Sequence, residues 1–199
     1  MNRLGRAVLN SPARAAAQRR FVVPSLRRIG GGLEGCRVLE IGCGCGAGTA
    51  LVLDLLGART VEAVDVDPVM VALASRRLAG RATVRVADML DTGAVPGAFD
   101  AVVDMGAIHL EPAWRDALSE VARVLRPGGR FYFEEIVQPR RQTLSALATG
   151  RRLHRDFTAV ALLAELDAAG LDLVGREDAR PAAHAGLVGD LIGVAVRRG

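Results

Sequence analysis

The chain has 199 residues, 50% of them apolar and 24% charged, a length and balance that suit one globular domain and exclude disordered and fibrous classes. Its formal charge is +4 and all 26 basic residues are arginine, so it offers neither a P-loop lysine for a nucleoside triphosphate nor an amine for a Schiff base. The apolar runs stop short of the ~18 residues of a membrane span, and three cysteines without framework spacing do not make a disulfide scaffold, which suits a reducing cytoplasm.

The positive charge gathers at the start: seven arginines from Arg3 to Arg28 precede the first acid, Glu34. Residues 1–34 are expected to form a basic helical segment. Leu4, Val8 and Leu9 share one side, which would pack on the domain or touch a membrane surface, although a transit peptide has a similar composition. From residue 35 onward short β-branched runs alternate with helical stretches. "CRVLEI" (36–41) reads as a buried strand and "AGTALVLDLLG" (47–57) as a helix capped by Gly57. "TVEAVDV" (60–66) is a second strand. Asp67-Pro68 starts the next helix, with the aspartate as cap and proline at the first helical position. Strands follow at 82–88 and 99–106, and Trp114, Leu118, Val121, Ala122 and Leu125 keep helical spacing until "RPGG" (126–129) ends the helix. "RFYFEEIV" (130–137) is a fifth strand. The polar, arginine-rich stretch 138–157 has no place in the alternation and is expected to be an acceptor-side insertion. Thr158 caps a further helix closed by Gly170, and strands at 171–178 and 191–198 end the chain. Such alternation calls for a doubly wound, mostly parallel α/β sheet with right-handed crossovers.

The stretch "VLEIGCGCGAG" (38–48) places a glycine turn after the first strand, where such sheets bind ligands. Gly42, Gly44 and Gly46 let a ligand approach the backbone, and Asp65, at the end of the second strand, is placed to accept from ribose hydroxyls. Gly42, Gly44 and Ala47 also satisfy the looser dinucleotide pattern G-x-G-x-x-A, so a nicotinamide dehydrogenase stays open at this point. Cys43 and Cys45 could be a ligand pair, but a structural zinc needs four ligands. The remaining candidates, Cys36 and His109, His154 and His184, are scattered, and no metal site is expected.

Glu40, two residues before the first glycine, suits a cationic ligand better than a pyrophosphate. "VLEIGCGCG", "VDVD", "VADML", "FDAVVDMGAIHL" and "ARVLRPGGRFYF" follow one another as the motifs of the class I S-adenosylmethionine-dependent methyltransferases do, and over residues 36–137 the chain resembles that family. The resemblance implies a Rossmann-like, seven-stranded sheet with an antiparallel C-terminal hairpin, and S-adenosylmethionine as cofactor, released as S-adenosylhomocysteine. It implies that Gly42, Cys43, Gly44, Gly46 and Glu40 serve the methionine portion, and that Asp65 serves the ribose with Val66 beside the adenine. Asp88 and Met89 would contact the adenine edge, and Asp104 and Met105 the methionine amine. His109 is the candidate base by family position, with Glu111, Trp114, Glu134 or Glu135, His154 and Asp156 as further pocket candidates. The methyl acceptor is expected to be a small molecule. No Asn-Pro-Pro-Tyr-like run follows the fourth strand and aromatic residues are few, so a nucleic acid is not expected. Rival readings are a protein that uses the cofactor structurally, an RNA methyltransferase and the dehydrogenase.

Overall fold

A computed structural model describes residues 11–137, 156–178 and 188–199. A helical arm comes first. α1 (Pro12–Ala17), capped by the Ser11 hydroxyl, runs through a π-helical turn (Gln18–Val22) into α2 (Val23–Gly30). Then come β1 (Arg37–Ile41), α3 (Ala47–Leu51) with a π-helical continuation (Val52–Leu56), β2 (Thr60–Asp65), α4 (Pro68–Leu78), β3 (Thr83–Val86) and β4 (Phe99–Met105). A 3-10 turn (Ile108–Leu110), α5 (Trp114–Val124), β5 (Leu125–Glu135), α6 (Ala159–Ala168), β6 (Leu171–Asp178) and β7 (Leu191–Arg197) complete it.

The strands form one seven-stranded sheet in the order β3-β2-β1-β4-β5-β7-β6, with β7 antiparallel to both β5 and β6. The expected doubly wound sheet with an antiparallel end is therefore present. Its central strands are apolar on both sides, because each side is covered. Leu39, Val102, Phe131 and Phe133 pack under α5 and α6 with Trp114, Leu118, Val121, Leu162 and Leu166. On the other face Val38, Ala101, Val103 and Tyr132 meet α3 and the arm through Leu51, Leu56, Val22, Val23 and Leu26. The Tyr132 hydroxyl donates to the Gly30 carbonyl at 2.8 Å, which fixes the end of α2 against β5.

Local chemistry explains the boundaries. Asp67 accepts from the Val69 amide at 3.0 Å and Pro68 follows it, so α4 begins where a capped start would, a contribution of about 1 kcal/mol. Gly57 ends the α3 continuation at φ +80°, the left-handed cap that glycine adopts without Cβ strain. Near "RPGG" the structure departs from the expected strand start: β5 begins at Leu125, directly after α5. Phe99 pairs with Leu125 and Ala101 with Arg130, so Arg126–Gly129 bulge out of the ladder where Pro127 has no N–H to give. Leu4, Val8, Leu9, His154 and most of the stretch 138–157 lie outside the described residues.

Candidate functional site

The chain order makes the site. β1 lies between β2 and β4, so the connections leaving β1 and β4 turn to opposite sides of the sheet and a crevice opens beyond their carboxyl ends. A cleft open to solvent occupies that place. The glycine turn after β1 makes one wall. Gly42 (φ +64°) and Gly44 (φ +54°) carry the chain through left-handed backbone, and a Cβ on Gly42 would stand 2.2 Å from the Ala107 methyl. The turn is tied to β2: the Cys43 amide donates to the Val64 carbonyl at 3.0 Å and the Gly44 amide to Asp65 Oδ2 at 2.9 Å. Asp65 Oδ1 accepts from the Asp67 amide at 2.9 Å. Each carboxylate oxygen retains acceptor capacity beyond these bonds for ligand hydroxyls.

Glu40 lies at the inner end, 1% exposed, beneath α3, where the Thr49 hydroxyl donates to it. Burial pushes its carboxyl up to about 8; the Thr49 bond opposes that shift, and the charges of Asp104 and Asp65 add to it. Gly48 leaves it room, since a Cβ there would come 2.3 Å from the carboxylate. Met105, Gly106, Ala107 and Leu110, from the end of β4 and its loop, form the opposite wall, and Val66, Ala87 and Met89 the outer part.

A second group of carboxyls stands behind that wall. Asp104 accepts from the Ala107 amide at 2.8 Å, and Glu135 accepts from the amides of Ile108 at 3.1 Å and His109 at 3.2 Å. His109 Nδ1 is 2.5 Å from Glu135 Oε2, and both side chains are buried. Burial lowers the imidazole to about 4, against the pull of Asp104, and raises the Asp104 and Glu135 carboxyls. Glu135, paired with His109, clamps the loop 104–110 from beneath together with Asp104.

Of the residues singled out in the sequence, Glu40, Gly42, Cys43, Gly44, Asp65, Val66, Met89 and Met105 line one cleft. Gly46 does not. It sits at the start of α3 with φ +77°, and a Cβ there would come 3.1 Å from Ala74 and Leu78, so it serves the contact between α3 and α4. Asp88 is exposed beside the cleft and accepts from the Leu90 amide at 3.0 Å. Asp104, His109, Glu134 and Glu135 are buried behind the lining residues. Glu111 caps the turn before α5 through the Ala113 amide at 3.1 Å. Trp114 is core, edge-on to Phe157 at 5.0 Å, and Asp156 pairs with Arg115 at the surface. Cys36, Cys43 and Cys45 form no disulfide, and burial pushes the Cys43 thiol up, away from ionisation.

A family model described as a methyltransferase domain matches residues 38–129. Residues 38–129 thus carry a methyltransferase domain, and the match supports the resemblance of the chain to the class I S-adenosylmethionine-dependent methyltransferases. Among curated relatives it is 33% identical, over 65% of its length and 53% of theirs, to the "Probable phthiotriol/phenolphthiotriol dimycocerosates methyltransferase 2" of Mycobacterium ulcerans. It is 37% identical, over 52% of its length and 38% of theirs, to the fatty-acid O-methyltransferase of Mycolicibacterium smegmatis. The chain thus spans about half or less of the curated relatives it matches. The S-adenosylmethionine dependent methyltransferase of Mesorhizobium loti shares its fold, with a TM-score of 0.74 at 22% identity over 90% of this chain and 100% of that one.

The cleft suits the cofactor of this methyltransferase family. It sets the carboxyls of Glu40 and Asp65 and the bare backbone of the glycine turn around one space, with acceptors matched to a cationic, hydroxyl-rich ligand. Two lining residues, Arg14 and Gln18, come from the arm and were not singled out in the sequence. Arg14 donates to the Met105 carbonyl at 2.8 Å and Gln18 to Glu134 Oε2 at 2.9 Å. Within a run of seven arginines nothing local marks the one that will turn inward.

Proposed function

We propose that the chain binds S-adenosylmethionine in this cleft and transfers its methyl group to a small acceptor with an apolar body. The observation that carries the reading is the union, in one cleft at the carboxyl ends of β1, β2 and β4, of the Asp65-braced glycine turn and the Glu40 carboxyl. The bound cofactor supplies a methyl already activated by a sulfonium. The protein's work is orientation and exclusion of water, which is worth roughly 7–11 kcal/mol in well-aligned cases. Asp65 holds the ribose end by accepting from its hydroxyls, and Glu40 offers a carboxyl to the cationic end. Met105, Ala107 and Leu110 present an apolar wall to the acceptor side. The relatives named for fatty acids and dimycocerosates support an apolar acceptor.

His109 has no part in proton transfer in this reading. A base must reach the acceptor proton, and the His109 ring is 3% exposed, held by Glu135, and does not line the cleft. It positions the loop, and methyl transfer proceeds on an acceptor that brings its own nucleophilic lone pair, such as a carboxylate. Calorimetry with S-adenosylhomocysteine and with NAD tests the cofactor. Binding of the first alone is the expected result, and binding of NAD alone would return the dehydrogenase reading. Incubation with S-adenosylmethionine and saturated fatty acids, followed by mass spectrometry, tests transfer: methyl esters support it, whereas cofactor bound but unconsumed across such acceptors favours structural use.

A further inference from the structure

The charged lining of the cleft is unbalanced. Glu40, Asp65 and Asp67 contribute carboxyls, and Arg14 is the only cationic side chain among the described residues that line it. Its guanidinium enters from α1, outside the residues 38–129 that match the family. It is not a solvated surface charge: the side chain is 17% exposed, one Nη donates to the Met105 carbonyl at 2.8 Å, and that nitrogen lies 3.6 Å from a Glu134 oxygen. Glu134 is already committed, with Oε1 accepting from the Gly189 amide and Oε2 from the Gln18 amide. Gly106 leaves the space that the guanidinium fills, since a Cβ there would stand 2.7 Å from the Arg14 nitrogen. A guanidinium carries five N–H donors, and the bond to Met105 uses one of them.

We propose that Arg14 binds the α-carboxylate of S-adenosylmethionine, so that an arm outside the matched segment reads the amino-acid end of the cofactor. The inference rests on the cofactor reading above. The sulfonium and the α-ammonium are cations that the acids of the cleft suit; the α-carboxylate is an acceptor-only anion, and among the described lining residues the Arg14 guanidinium is the charged donor that matches it. The planar fork of a guanidinium matches a carboxylate through two parallel hydrogen bonds. An acceptor carboxylate has the same chemistry, so the test separates the two sources.

Calorimetry on the full chain compares S-adenosylhomocysteine with its decarboxylated analogue, which keeps the amine and lacks the carboxylate. The wild-type protein is expected to prefer S-adenosylhomocysteine by about tenfold or more, the scale of a charge-assisted hydrogen bond. Arg14→Met should lose most of that preference by weakening S-adenosylhomocysteine alone, leaving the analogue within about threefold, and Arg14→Lys should keep part of it. If Arg14→Met does not fold, Arg14→Gln carries the same comparison. Parallel loss of both ligands, or an unchanged affinity for S-adenosylhomocysteine, overturns the inference. In the second case, weakened binding of dodecanoate would assign the arginine to the acceptor. A wild-type protein that binds neither nucleoside overturns the cofactor reading itself, while one that binds both equally overturns only the role of Arg14.

Discussion

Gly44 and its cysteine neighbours separate what the turn requires from what it tolerates. Gly44 holds φ at +54°, and its amide is bound by Asp65, so a β-branched side chain meets a backbone it rarely adopts at the point where the ligand approaches. Cys43 and Cys45 are 5% and 6% exposed and behave as small apolar fillers. Gly44→Val is therefore expected to abolish detectable binding of S-adenosylhomocysteine, whereas Cys43→Ala with Cys45→Ala should weaken it by less than about tenfold, the cost of lost packing alone. Calorimetry on both variants checks this, and equal losses would mean the thiols take part in binding. At this scale most of the cleft wall was legible, because a turn that needs left-handed backbone must show its glycines in the sequence. Asp104 and His109 were not: side chains at the end of a strand can point into a cleft or beneath its loop, and the spacing of the motif is the same in both cases.

The helical arm is the element whose role changes most when the fold is known. As sequence it is a basic, amphipathic stretch, equally suited to a membrane surface or to a protein face. In the structure the described part of the arm packs into the core, through residues other than Leu4, Val8 and Leu9: Val22, Val23 and Leu26 cover the face of the sheet that holds Val38, Val103 and Tyr132. Leu26 is 0% exposed, so Leu26→Ala removes transfer energy and leaves a cavity, a loss of about 2–5 kcal/mol. Denaturant unfolding should show that loss as a lower midpoint with an unchanged slope. A loss below about 0.5 kcal/mol would mean that the arm does not pack on the sheet. The arm also carries Arg14 and Gln18 into the cleft, so its docking and the ligand site are coupled.

For the whole molecule the buried acids dictate a pH dependence. Burial raises Glu40 to about 8 and Glu135 to about 7, and raises Asp104 as well. The folded chain therefore holds protons that the unfolded chain, with ordinary carboxyls, gives up. Stability contributed this way is full below the unfolded carboxyl range and is lost as pH rises through about 7 to 8. His109 works in the opposite sense: lowered to about 4, it contributes stability above its ordinary value and loses it as pH falls toward 4. The ligand-free protein should have a lower denaturation midpoint at pH 8.5 than at pH 6.5, and Glu40→Gln should flatten that decline. A midpoint that does not fall in the wild type would mean Glu40 and Glu135 ionise freely. At this scale the alternation of strand and helix, the glycine turn with Glu40 and Asp65, and the resemblance to a methyltransferase domain were determined by the sequence alone, because period, capping and turn chemistry are local. The tertiary structure decided which arginine faces the cleft, that the arm completes the core, and that His109 and Asp104 lie behind the wall. The inward turn of Arg14 and the burial of His109 rest on contacts distant in sequence, Arg14 with Met105 91 positions away and His109 with Glu135 26 away, and no local pattern encodes them.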